Sequence, residues 1–217
     1  MNSDQPQPRW QRRKDARPAE ITEAALALFI QKGYAATKLD EVAKAAGVTK
    51  GTLYLYFASK EDLFKAAVRD AWGPSLQLAE EMVADTQQSA AQLLETLILR
   101  WVEKLENSPV NGLSKLAIGE AGNFPEIAQF YLQEVVDRSR RIYSQVIERG
   151  IQQGEFRAVD IGFTVSEIIS PIIMQTLWQQ AFGPYRKNLF DLPAFARFHL
   201  DMLLAALRPT TAADIKP

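Results

Sequence analysis

The sequence predicts an all-α protein: a three-helix head of helix-turn-helix type at the N-terminus, joined to a larger helical bundle. Three observations predict it. Apolar residues recur at helical spacing along most of the chain. Gly, Pro, Ser, Thr and Asp break that pattern where helices would start and stop. No run alternates with the period of a half-buried strand. The 217 residues, 47% hydrophobic and 24% charged, suffice for a small domain followed by a medium one.

Residues 1–17 are expected to form a disordered basic arm. Pro6, Pro8 and Pro18 interrupt it, and Arg9, Arg12, Arg13 and Lys14 charge it. It reads either as a solvated tail or as an arm that touches DNA phosphates or a minor groove. A helix runs from Pro18 to about Lys32, with Ile21, Ala24, Ala25, Leu28 and Phe29 on one stripe and Gly33 as its C-cap. A second, short helix is expected after Thr37, its predicted N-cap, with Leu39, Val42, Ala43 and Ala46 inward. Gly47 ends it and Thr49 caps a third helix that turns Leu53, Tyr56 and Phe57 inward. Ser59 caps a fourth, which Gly73-Pro74 is expected to interrupt or restart. Beyond it the pattern predicts helices at about 75–86, 89–106, 109–121, 125–153, 160–182 and 192–207. Pro125 suits a first helical turn, Gly154 a stop, and Asp160 and Asp191 two N-caps, while Pro171 should kink the helix that contains it.

Composition narrows the function. The chain has no Cys, which excludes disulfides, thiolate metal sites and Cys nucleophiles and fits a reducing compartment. The N-terminus lacks the apolar core of a signal peptide, and no stretch is read as approaching the roughly 18 apolar residues of a span. A cytoplasmic protein with no membrane partner is expected. Net charge is −1, but unevenly spread: residues 1–65 hold 11 Lys/Arg against 8 Asp/Glu, and residues 66–217 hold 14 against 18. A basic head on an acidic body suits contact with phosphate. His199, the sole histidine, has no acid at metal-ligand spacing, and no Gly-rich phosphate loop occurs, so no metal, cofactor or enzymatic activity is expected. A scaffold that uses the short helices only for packing is the competing class.

The informative segment is Thr37 to Lys60, TKLDEVAKAAGVTKGTLYLYFASK. Gly47 permits the left-handed backbone of a tight turn between two short helices. The third helix would then stand proud, offering Thr49, Lys50, Gly51, Thr52, Tyr54 and Leu55 on or beside its outer face. A recognition helix enters the major groove with its N-terminal end reading bases. Lys50 can reach guanine acceptors, Thr52 a base edge or thymine methyl, and Gly51 allows close approach. Tyr54 offers a hydroxyl to phosphate, and the helix beginning near Lys60 adds free N–H groups and a cation.

The run GVTKGTLYLYFASKEDLF, with the alanine-rich first helix, Gly33, Thr37 and the Ala46-Gly47-Val48 turn, resembles the DNA-binding signature of the TetR family of transcriptional repressors over about residues 18–65. The resemblance implies phosphate contacts from Thr37, Tyr54, Tyr56 and Lys60, and base-edge positions for Thr49, Lys50, Gly51 and Thr52. Tyr56 can equally belong to the core, and Thr37 and Thr49 can serve as caps. Residues 66–217 would form the ligand-binding and dimerisation domain. Within it GEAGNFPEIAQFYLQEVV resembles the C-terminal domains of the AefR-like branch. The family implies a small, usually apolar effector that releases a palindromic operator, and a homodimer; an activator, or a regulator with no small ligand, is the runner-up. Large apolar residues that could line its pocket are Trp101, Phe124, Phe130, Tyr131, Met174 and Trp178, all of which can also be plain core. The last two helices are apolar on most sides, so Ile169, Ile173, Leu177, Phe195, Phe198 and Leu203 are expected at a four-helix dimer interface.

Overall fold

A computed structural model describes residues 9–84, 87–185 and 190–209, and among these it contains helices and no strand. The head comprises α1 (Arg9–Lys32), α2 (Leu39–Ala45), α3 (Lys50–Tyr56) and the start of α4 (Lys60–Ala84). Ile21, Ala25 and Phe29 of α1 close on Val42 of α2, Leu53 of α3 and Leu63 and Phe64 of α4, all buried. Fully burying a side chain such as Phe29 stabilises the fold by roughly 1.5–3 kcal/mol. Gly33 at φ +88 ends α1, its N–H donating to Phe29 O at 2.9 Å. Gly47 at φ +66 ends α2, and the Val48 N–H reaches back to Ala43 O at 2.9 Å. Both are left-handed positions that only glycine takes without strain.

Several expectations are corrected here. The arm is helical from Arg9 onward, continuous with α1, and the rest of it, residues 1–8, lies outside the described residues. Arg, Gln, Lys and Ala are good helix formers, and Pro18 costs one hydrogen bond without ending the helix. Thr37 does not cap α2. Lys38 occupies that position, with the Glu41 carboxylate accepting from its N–H, and Thr37 is 1% exposed. Tyr56 points outward, leaving Leu53 and Phe57 as the inward pair of α3.

Gly73-Pro74 does not break α4, which runs unbroken for 25 residues. Phe64, Val68, Trp72 and Leu76 follow one another at four-residue spacing on its buried face. That continuous burial, on both sides of the proline, outweighs the missing N–H. The domain division expected after residue 65 therefore falls inside one helix.

The body continues through α5 (Ala90–Asn107), α6 (Asn111–Glu120), α7 (Pro125–Tyr131), a π-helical turn (Leu132–Val136), α8 (Asp137–Gln152), α9 (Ile161–Phe182), a 3₁₀ turn (Gly183–Tyr185) and α10 (Leu192–Leu207). Ser89, Asp160 and Asp191 cap α5, α9 and α10 through their side chains. Helix α9 runs on through Pro171. By length and composition alone the Ile161–Tyr185 stretch, with an 18-residue window of mean hydropathy 1.2, approaches a membrane span, where the sequence leads one to expect none. Only Val165, Ile168, Ile172 and Thr176 of α9 are buried within the chain.

A candidate DNA-reading head and effector cavity

Helix α3 presents its N-terminus to solvent, and the Thr49 side chain organises it. Thr49 Oγ1 accepts from Thr52 N at 3.1 Å and lies 2.9 Å from Thr52 Oγ1. Gly51 faces open space, since an added Cβ would meet nothing nearer than Thr49 Oγ1 at 3.8 Å. Tyr54 is 46% exposed and Leu55 82%, so this outer face carries two large side chains with little cover. Lys50 Nζ is held 2.7 Å from Asp40 Oδ1 of α2, and that hydrogen bond raises the ammonium's pKa. Asp40 reads in the sequence only as a capping-box partner of Thr37, not as a partner of Lys50. Lys50 is ten positions away, a spacing no helical period predicts.

Two expected phosphate contacts are placed differently. The Thr37 hydroxyl is turned inward, 2.8 Å from Gly33 O and 3.2 Å from Leu28 O. The Lys60 ammonium donates to the carbonyls of Tyr34 (2.8 Å), Ala35 (3.2 Å) and Thr37 (3.2 Å). It also lies 4.5 Å from the centre of the Tyr34 ring, and burial lowers its pKa. All three ammonium donors are thus engaged. Both residues shape the 33–37 loop, and neither offers its side chain outward.

The same loop is gripped from the body. Glu120 Oε1, at the end of α6, accepts from the N–H groups of Tyr34 (2.9 Å) and Ala35 (3.3 Å). Phe124 packs edge-on against Tyr34 with ring centres 4.8 Å apart. Burial and the nearby Glu61 push the Tyr34 phenol up to about 12. Gly112 of α6 meets Ile30 of α1 so closely that an added Cβ would stand 2.4 Å from Ile30 Cγ2. Thr22 Oγ1 reaches Asp70 Oδ2 of α4 at 2.6 Å. The head is therefore fastened to two helices of the body, α4 and α6.

Those two helices also wall a largely apolar cavity of about 980 Å³. Trp72, Leu76, Ala79 and Met82 of α4 and Ser114, Ala117 and Ile118 of α6 form part of it. Leu97 and Trp101 of α5, Tyr143 of α8, the π-helical turn and residues of α9 supply more of it, with Arg100, Glu103, Lys104 and Arg140 as charged members. Burial raises the Tyr143 phenol. Tyr131 at the end of α7 and Leu132, Val135 and Val136 of the π-helical turn all line the cavity.

Of the six expected lining residues, Trp101, Tyr131 and Met174 line this cavity. Phe124 belongs instead to the head contact described above. Phe130 lies under two cations, Lys65 at 5.7 Å and Arg69 at 4.9 Å. Trp178 lies on the outer side of α9, 47% exposed. Of the expected interface residues, Ile169, Ile173 and Leu177 also line the cavity. The apolar stripe of α9 is wide enough that periodicity could not separate its cavity side from its outer side. The large apolar side chains left outward are Phe163, Trp178 and Phe182 on α9 and Phe198 and Met202 on α10, while Met174 lines the cavity and is still 49% exposed. Phe195 is stacked on His199 with ring centres 5.9 Å apart, and Leu203 is half-buried. His199 Nε2 lies 2.9 Å from Glu167 O, joining α10 to α9. No group of residues suited to a metal occurs among the described residues.

Residues 21–67 match the family model described as bacterial regulatory proteins, tetR family, and residues 83–187 match that of the tetracyclin repressor-like C-terminal domain. The transcriptional repressor KstR2 of Rhodococcus jostii (strain RHA1) is 30% identical over 169 residues, which are 76% of this chain and 78% of that protein. Among solved structures, the regulator FadR of Bacillus subtilis in complex with stearoyl-CoA superposes with a TM-score of 0.69 at 23% identity, covering 88% of this chain and 99% of that one. SmeT, the repressor of a Stenotrophomonas maltophilia multidrug efflux pump, gives 0.72 at 20% identity, covering 92% and 96%. With a helix-turn-helix head, an all-helical body and relatives of this kind, the chain belongs to the TetR family of bacterial transcriptional regulators.

Proposed function

We propose that this regulator is a homodimeric repressor that sits on a palindromic operator and is released when a small, mainly apolar effector fills the cavity. One observation carries the reading: α4 and α6 both wall the cavity and hold the head. A ligand that fits better when these helices are spread also favours a different head position, and linkage then lowers DNA affinity. The names of KstR2 and SmeT as repressors, and the stearoyl-CoA bound by FadR, support repression and an apolar ligand.

On DNA, the N-terminal half of α3 enters the major groove. Lys50, Gly51 and Thr52 meet base edges, Thr49 holds the helix end, and Tyr54 and Tyr56 reach phosphates. Thr37 and Lys60 act by shaping the 33–37 loop. The outward apolar faces of α9 and α10 meet their copies in a second chain, so that two reading heads face successive major grooves, about 34–36 Å apart.

The test is a selection of bound duplexes from random-sequence DNA with full-length protein at moderate salt, followed by titration of the selected complex with apolar compounds. An enriched inverted repeat that at least one compound dissociates is the expected result. Binding without sequence preference that vanishes as salt rises would leave only phosphate attraction and overturn the reading.

A further inference from the structure

Polar atoms gather at one place in the cavity wall. The Ser114 hydroxyl on α6 lies 3.1 Å from the Tyr131 phenol oxygen, and both side chains are buried. Beside them Trp72 of α4 is 6% exposed, and its Nε1 is buried with no hydrogen-bond partner. Burial raises the Tyr131 pKa, and its contacts with Ser114 and Trp72 oppose that rise. The indole is thus near the phenol without the geometry of a hydrogen bond to it. All three residues line the cavity.

Counting protons defines what the cluster lacks. The indole contributes one N–H, and the phenol and the serine one O–H each, so there are three donors. The contact between Ser114 and Tyr131 consumes one of them. The indole N–H remains, and so does the proton of whichever hydroxyl accepts. A buried donor left unmade is costly, and the remedy is an acceptor. A hydroxyl would bring another proton to a group already rich in them. An ammonium would bring charge where no acid stands in the cluster. A carboxylate would be desolvated beside three neutral donors, with no cation among the three residues of the cluster.

We propose that Trp72, Ser114 and Tyr131 form a subsite for an uncharged acceptor oxygen, and that the effector is an apolar molecule bearing a carbonyl group. The inference rests on the cavity being the effector site. It also gives the oxygen a mechanical role. Trp72 stands on α4 and Ser114 on α6, so one carbonyl bridges the two helices that fasten the head.

Benzylacetone and butylbenzene test this, because they differ only by a carbonyl in place of a methylene. Their binding to the full-length protein is measured by calorimetry in wild type, Trp72→Phe and Tyr131→Phe. Each substitution is expected to weaken benzylacetone about fivefold, the worth of one ordinary hydrogen bond, and to leave butylbenzene unchanged. In wild type, the indole N–H resonance assigned to Trp72 should move downfield with benzylacetone and stay in place with butylbenzene. This second measurement decides the matter should Trp72→Phe fail to fold. Equal losses for both ligands, or no shift of that resonance, would overturn the subsite while the cavity remains a binding site. No binding of either compound would overturn both.

Discussion

Asp40 is the residue whose role the head's geometry makes most specific. It holds the Lys50 ammonium at 2.7 Å on the face proposed to meet DNA. An exposed pair of this kind contributes little to stability, so its cost falls on binding. The acid neutralises a cation that DNA would otherwise use and itself repels phosphate. Asp40→Asn should therefore raise operator affinity about three- to tenfold at low salt, with the gain shrinking as salt screens it. Fluorescence anisotropy at two salt concentrations checks this, and an unchanged affinity would remove Lys50 from the interface. At this scale the sequence was legible where signals are local. The Thr49 cap and the open position of Gly51 follow from neighbours within a turn. The role of Lys60 was not legible, because the carbonyl cup that holds it is formed by a loop more than twenty residues away. Tyr56 sits at a helical spacing that suits burial, yet it is 37% exposed.

At the scale of elements, capping chemistry located most boundaries. Ser89, Asp160 and Asp191 cap helices as their residue types suggest, and Gly154 takes the left-handed conformation at φ +72 after α8. Gly73-Pro74 misled because punctuation is a local signal, and the burial of Trp72 and Leu76 on α4 is a tertiary one. The crossing of α1 over α6 was equally invisible, since the need for glycine at position 112 depends on Ile30. That crossing makes a prediction. In Gly112→Ala the new methyl would meet the branched part of Ile30, and a rotamer change that moves Cγ2 would still leave Cβ tight at 3.3 Å. Overpacking of this kind costs about 1–3 kcal/mol, which lowers Tm by about 3 °C or more in a chain of this size. Because α6 also holds the 33–37 loop through Glu120, operator affinity should fall as well. Thermal unfolding and DNA titration of the same preparation separate the two effects. A lower Tm with unchanged DNA binding would show that α6 does not position the head.

For the whole molecule, the question is what covers α9 and α10. The sequence showed that these helices carry more apolar surface than one chain can bury, but it could not say which side faces inward. The cavity takes Ile169, Ile173 and Leu177, and the remaining outward residues include Phe163, 77% exposed, and Phe198, 63% exposed. The 2.9 Å contact between His199 and Glu167 O locks the two helices together, so these side chains form one surface rather than two. A two-fold interface uses the same patch on both chains, and each substitution in it acts twice. Burying a phenylalanine contributes about 2 kcal/mol, and a carboxylate in its place removes at least that. Phe198→Asp should thus weaken dimerisation by about 4 kcal/mol, near a thousandfold in Kd. Sedimentation velocity over a concentration series reads the shift directly. The isolated chain should keep its helical circular dichroism, because Phe198 is 63% exposed within it, and its affinity for a single half-site should be preserved while that for the inverted repeat collapses. A variant that remains dimeric at low concentration would place the interface elsewhere and would leave the exposed face of α9 and α10 to a different partner.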